Sequence, residues 1–64
     1  MMKNLKNIRI KHGMTQDRLA VILGVEKSSI SKWETTDVIP HIDKLLKISE
    51  LFKVTYDELL REEQ

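Results

Sequence analysis

Residues 15–34, TQDRLAVILGVEKSSISKWE, decide the fold. They read as two short helices joined by a tight turn. Thr15 stands in the N-cap position, where its hydroxyl accepts a bond from a free N–H of the first turn. Met14 lies just before that cap and Leu19 four positions inside the helix, the spacing of a hydrophobic staple. Leu19, Ala20 and Leu23 form one apolar stripe at helical spacing. Gly24 stops the helix, since glycine takes the left-handed C-terminal conformation without steric cost. Val25 and Ile30 repeat the staple around a new start at Glu26. Ile30, Trp33 and Glu34 fall on one face of the second helix, and Lys27, Ser28, Ser31, Lys32 and Thr35 on the opposite face.

The outward face is small, polar and basic. Ser28 and Ser31 let the helix approach a surface closely, and Lys27 and Lys32 supply charge. This suits a helix lying in a DNA major groove, where base edges and phosphates are both in reach. Lysines and serines alone fit a plain solvated face equally well. The spacing of the whole segment favours the groove: Ala20 where two helices must cross, Gly24 at the turn, Ile30 and Trp33 as inward anchors.

Working outward, residues 3–12 predict a first helix with Leu5 and Ile8 facing the core and Lys3, Lys6 and Lys11 facing water; Gly13 ends it. Residues 35–41, TTDVIPH, form a linker, because Pro40 cannot continue a helix and pushes Ile39 toward an extended conformation. Residues 42–52 predict a fourth helix with Ile42, Leu45, Ile48, Ser49 and Phe52 inward and His41 preceding or capping it. The last helix opens on a capping box, Thr55 to Glu58, with a third staple between Val54 and Leu59. Leu46, Leu51 and Leu60 are more leucines than one small core readily hides. His12 and His41 are lone histidines, which are far more often structural or solvated than ligands.

The chain has 64 residues and no cysteine, so one small domain spanning residues 1–64, without disulfides or a cysteine-based metal site, is expected. A domain this short buries only about 60% of its unfolded surface, so marginal stability or help from a partner subunit follows. No apolar run approaches the roughly 20 residues of a membrane span, and the N-terminus lacks the apolar core of a secretory signal. A cytoplasmic protein with no membrane association is the expectation. Net charge is only +1, but it is unevenly spread. Residues 1–32 hold seven lysines and arginines against two acids, and residues 33–64 hold four against eight. A basic half facing a polyanion and an acidic half facing away would produce this distribution, as would chance clustering in a short chain.

The ordered set Leu5, Ile8, Arg9, Gly13, Thr15-Gln16, Leu19-Ala20, Gly24-Val25, Ile30-Ser31-Lys32-Trp33-Glu34, Pro40, Ile42, Leu45, Phe52, Val54 and Leu59 resembles the Cro/cI-type helix-turn-helix family of phage and bacterial repressors. The resemblance covers nearly the whole chain. It implies an all-α fold, a compact lambda-repressor-like bundle of five short helices, with the motif at residues 16–35 and a recognition helix at about 27–35. It implies that Gln16 grips a phosphate, that Lys27 and Ser28 read base edges, that Ser31 and Lys32 follow on the next turn, and that Thr35 closes the helix. It also implies a pair between Arg9 and Glu34 that fixes the recognition helix against helix one; two independent surface charges are the alternative. The chain departs from the family at Val21 and Ile22, where at least one polar residue is usual. They are expected to widen the core stripe; a small exposed patch is the alternative. Thr36 stands where a glycine is usual, followed by Asp37, Val38 and Ile39 in place of basic residues. Glu26 replaces a usual serine, and an acid near phosphates is repulsive.

These features predict a sequence-specific regulator that binds double-stranded DNA, chiefly a repressor acting as a homodimer on a palindromic operator. Leu46, Leu51 and Leu60, with Val38 and Ile39, are the candidate dimer surface. A protein-interaction module of the same fold, such as an antitoxin or an antirepressor target, is the second reading. An enzyme is not expected: there is no nucleophile-base-orienter set, no metal spacing and no phosphate-cradling glycine loop. No cofactor, metal or small-molecule ligand is expected.

Overall fold

Two helices open on side-chain caps that the sequence supplies, at Thr15 and Thr55. The computed structural model describes residues 2–61, and within them the regular structure is α1 (Lys3–Lys11), α2 (Gln16–Leu23), α3 (Lys27–Thr35), α4 (Ile42–Phe52) and α5 (Tyr56–Leu60). The Thr15 hydroxyl accepts the Arg18 N–H and opens α2, and Gly24 closes it in the left-handed region. The capping box forms at α5: Thr55 accepts the Glu58 N–H, and the Glu58 carboxylate accepts the Thr55 N–H in return. The chain is thus all-helical among the described residues.

Thr36 does the work expected of a glycine after the recognition helix. Its hydroxyl donates to the Lys32 carbonyl at 2.6 Å and accepts the Val38 N–H at 3.2 Å. The Lys32 carbonyl also accepts the Thr36 backbone N–H at 2.9 Å, so one residue closes the end of α3 twice over and satisfies a linker amide, with an extended backbone (φ −125°) that any residue adopts. The opposite substitution occurs after α4. Lys53 ends that helix at φ +56°, in the left-handed region, where a side chain is strained.

Met2, Leu5 and Ile8 of the first segment, Leu19, Ala20 and Leu23 of α2, Ile30 and Trp33 of α3, Ile48 and Phe52 of α4 and Leu59 of α5 form one core. The staple residues Met14, Val25 and Val54 pack against it from the turns. Two expectations are corrected. Val21 and Ile22 do not widen the stripe; Val21 is 74% exposed and Ile22 is exposed beside it. At about 100° per residue, Val21 lies roughly 150° around the helix from the centre of the Leu19–Ala20–Leu23 stripe. Ile42 is not inward but 59% exposed, and Leu45 and Ser49 are only half-buried. Steps of three residues walk the stripe about 60° around α4 each time, so Ile42 falls off the core-facing side that Ile48 and Phe52 define.

The sequence reading missed two contacts of the N-terminal segment. Met2 is fully buried, and its N–H donates to the Trp33 carbonyl at 3.0 Å. Asn4 is also buried and donates its side-chain amide to the Glu58 carbonyl of α5. The first residues are thereby tied both to α3 and to the last helix.

Relieving the strain at Lys53 should stabilise the protein. Lys53→Gly is expected to raise stability by up to about 1 kcal/mol, the left-handed penalty exceeding the entropy that glycine adds to the unfolded chain. Urea melts of the two proteins measure this; a lower midpoint for Lys53→Gly would show that the lysine stem contributes packing instead.

Candidate nucleic-acid interface

The orientation of α3 is set from behind. Ile30 and Trp33 enter the core, and Glu34, on the same face, is buried against Arg9 of α1. Arg9 Nε donates to Glu34 Oε2 at 2.8 Å and Nη2 donates to Oε1 at 3.1 Å. The third arm of the guanidinium, Nη1, donates to the Met14 carbonyl at 2.9 Å. The fork geometry of arginine suits such a bidentate contact. Its net stabilisation is modest, because desolvating two charges offsets most of the attraction; its geometric demand is not. Among the described residues no buried side-chain nitrogen or oxygen lacks a partner.

Gln16 at the first turn of α2 joins this network. Its Nε2 donates to Glu34 Oε1 at 3.0 Å. Sequence reasoning missed this contact, because nothing in the spacing of residues 16 and 34 marks it. Gln16 is half-buried and borders an open cleft with Gly13, Thr15, Asp17 and Lys27.

The other side of α3 faces solvent. Lys27, Ser28, Lys32 and Thr35 are exposed and Ser31 is half-buried. Thr35 donates its hydroxyl to the Ser31 carbonyl at 2.7 Å, which leaves its lone pairs outward. None of the five side chains is acidic, so the helix offers two cations and three hydroxyls on one surface. Asp17 breaks this pattern at the edge: its Oδ2 stands 4.0 Å from Lys27 Nζ, with both side chains mostly exposed. The free amides at the start of α2 favour an anion, and Asp17 opposes one there.

The leucines kept aside by the sequence reading do not lie on one side of α4. Leu46 and Leu51 are five residues apart, about 140° around the helix. Leu51 lines a shallow groove between α2 and α4 with Ile22, Lys47 and Glu50. Leu46 follows Ile42 by one turn, and both are exposed, as are Val38 and Ile39 in the linker and Leu60 on α5. No helix among the described residues is long and apolar enough to cross a membrane. Among the same residues no group of three or more histidines, cysteines, aspartates or glutamates is arranged to hold a metal ion.

A bundle of short helices that braces one helix from behind and leaves its polar face open is the architecture of a helix-turn-helix DNA-binding domain. The helix-turn-helix family model matches residues 5–59, and the chain belongs to the Cro/cI-type helix-turn-helix family, whose members are DNA-binding transcription regulators. Over 62 residues it is 40% identical to the HTH-type transcriptional activator BcrR of Enterococcus faecalis, a match covering 97% of this chain and 30% of that protein. It is 37% identical over 62 residues to the HTH-type transcriptional regulator ImmR of Bacillus subtilis, covering 97% of this chain and 49% of that one. A putative HTH-type transcriptional regulatory protein of Pyrococcus abyssi is 38% identical over 50 residues, covering 78% of this chain and 16% of that one. The chain therefore spans half or less of the length of these relatives. The family generally lacks enzymatic activity.

Two outcomes test this geometry. Arg9→Met alone strands the Glu34 carboxylate in the core and should cost about 3–5 kcal/mol, most of which Glu34→Leu added to it restores. A double-mutant cycle by urea denaturation reads the coupling, and strict additivity would mean that the pair does not act as a unit. Asp17→Asn removes an exposed acid beside Lys27 and should tighten duplex binding about two- to fivefold at low salt. Fluorescence anisotropy with a selected duplex measures it; weaker binding would place Asp17 away from the phosphates.

Proposed function

We infer that this chain is a sequence-specific reader of double-stranded DNA that regulates transcription, chiefly as a repressor, and that it works as a homodimer on a palindromic site. The observation that carries the reading is the acid-free outer face of α3, held by buried anchors on the other side. Lys27 and Ser28 stand at the start of that helix and reach base edges first. Ser31 and Lys32 follow one turn on, Thr35 closes the face, and Gln16 holds the phosphate backbone beside it. A domain of this kind represses by occupying a site that the transcription machinery needs. The reading places the chain in the cytoplasm, where the DNA is, without cofactor or small-molecule ligand.

One recognition helix offers only a few base-reading side chains, so a single domain cannot specify a long site. Two copies on half-sites about one helical turn apart, roughly 34 Å, solve this. A two-fold pair needs a self-complementary patch away from the groove face. The exposed Leu46 and Leu60, with Val38 and Ile39, supply apolar surface for it on the acidic half of the chain, while Leu51 faces the α2–α4 groove and is left out of the patch. The surface is small, so the dimer forms mainly on DNA.

Enrichment of random duplexes on the purified protein tests the function, and a two-fold symmetric sequence is the expected product. No enrichment at moderate salt would favour a protein-interaction module of the antitoxin or antirepressor-target kind. Sedimentation with the selected duplex should then give two chains per full site. Leu60→Glu should abolish cooperative binding to the full site while leaving half-site affinity and the melting temperature unchanged. One native chain per full site at saturation would rule the dimer out.

A further inference from the structure

Glu34 does more than neutralise Arg9. Its Oε2 accepts Arg9 Nε, and its Oε1 accepts both Arg9 Nη2 at 3.1 Å and Gln16 Nε2 at 3.0 Å. An ionised carboxylate offers acceptors only, so the Gln16 amide must turn its nitrogen toward Glu34. That nitrogen carries two hydrogens. One is held by Glu34; the second is not needed there, and Gln16 lines the cleft shared with Thr15, Asp17 and Lys27.

We propose that Glu34 is a positioning residue for binding of the DNA backbone: it orients Gln16 so that the second amide N–H meets a phosphate oxygen. The proposal rests on the reading of the α2–α3 face as the DNA surface. Glutamine is a long side chain that ordinarily loses rotamer freedom when it binds. Here that loss occurs on folding, so the grip is preorganised. The arrangement also explains how a carboxylate can stand behind a phosphate contact. The Glu34 side chain is 1% exposed and the Arg9 side chain 9%, and the guanidinium cancels the negative charge that would otherwise repel DNA. The pair that fixes the angle of α3 therefore fixes the neighbouring phosphate grip as well. One carboxylate keeps the two in a constant relation.

The test uses the whole chain, a selected duplex and four proteins: native, Gln16→Ala, Arg9→Met with Glu34→Leu, and the triple variant. In the native background Gln16→Ala should weaken binding roughly tenfold, the effect of one hydrogen bond, and should leave the salt slope unchanged, because the amide carries no charge. The Arg9→Met/Glu34→Leu protein should show a similar loss of affinity, and adding Gln16→Ala to it should cost less than about twofold, the margin of ordinary additivity. A merely structural Glu34 would change the melting temperature and leave the effect of Gln16→Ala at full size in both backgrounds, which would overturn the proposal while leaving the DNA reading intact. A native chain that binds no duplex would overturn both.

Nuclear magnetic resonance of the native protein decides the matter even where the Arg9→Met/Glu34→Leu protein does not fold. The Gln16 side-chain amide should relax like the rigid backbone in the free protein, and on addition of the duplex only one of its two protons should shift strongly. A freely moving amide, or equal shifts of both protons, would overturn the proposal.

Discussion

The bidentate contact between Arg9 and Glu34 is the constraint around which the rest of the structure is arranged. Two opposite charges lie inside a domain with very little interior to spare. Either charge alone would be intolerable there, and together they bring only a modest net gain in stability. Their value is directional. The guanidinium reaches both carboxylate oxygens and the Met14 carbonyl only if α1, the turn before α2, and α3 hold one relative placement. Apolar packing of Ile30 and Trp33 tolerates small rotations of α3; three oriented hydrogen bonds do not. Electrostatics thus aims α3, while the hydrophobic effect merely holds it down.

The same economy runs through the core. A chain this short cannot surround its interior, so every segment contributes to closing it. Met2 comes from the first residues, Leu59 from a helix of five residues, and Pro40 is buried in the linker. A five-residue helix has no stability of its own in water. It exists because the Thr55–Glu58 box satisfies its first turn and Leu59 is locked in the core.

Much of this was legible in the sequence because it rests on local chemistry. The caps at Thr15 and Thr55, the stop at Gly24 and the staples around them each involve residues within five positions, and the structure has them all. The Arg9–Glu34 pair was legible only through family resemblance, since 25 residues separate the partners. Long-range ties without a sequence signature escaped: Met2 to Trp33, Asn4 to Glu58, Gln16 to Glu34. Val21, Ile22 and Ile42 show the opposite failure. They are apolar, but hydrophobic identity does not say which side of a helix meets the core. The helical angle does, and it places them outside. For the candidate site, the outward direction of Lys27, Ser28, Lys32 and Thr35 followed from the same periodicity that buries Ile30 and Trp33.

The tie from Met2 to the Trp33 carbonyl has a kinetic consequence. α2 and α3 meet across a three-residue turn, a contact that forms over a short loop and therefore quickly. The last turn of α3 is different: one of its carbonyls waits for an amide from the far end of the chain, and α1 in turn waits for α5, 54 residues from Asn4 to Glu58. Such closures carry a larger entropic penalty and come later. α3 is therefore among the first elements to begin and among the last to be completed. Anything that binds only the completed helix also favours the closed α1–α5 seam, so occupancy of α3 and integrity of that remote seam rise and fall as one equilibrium.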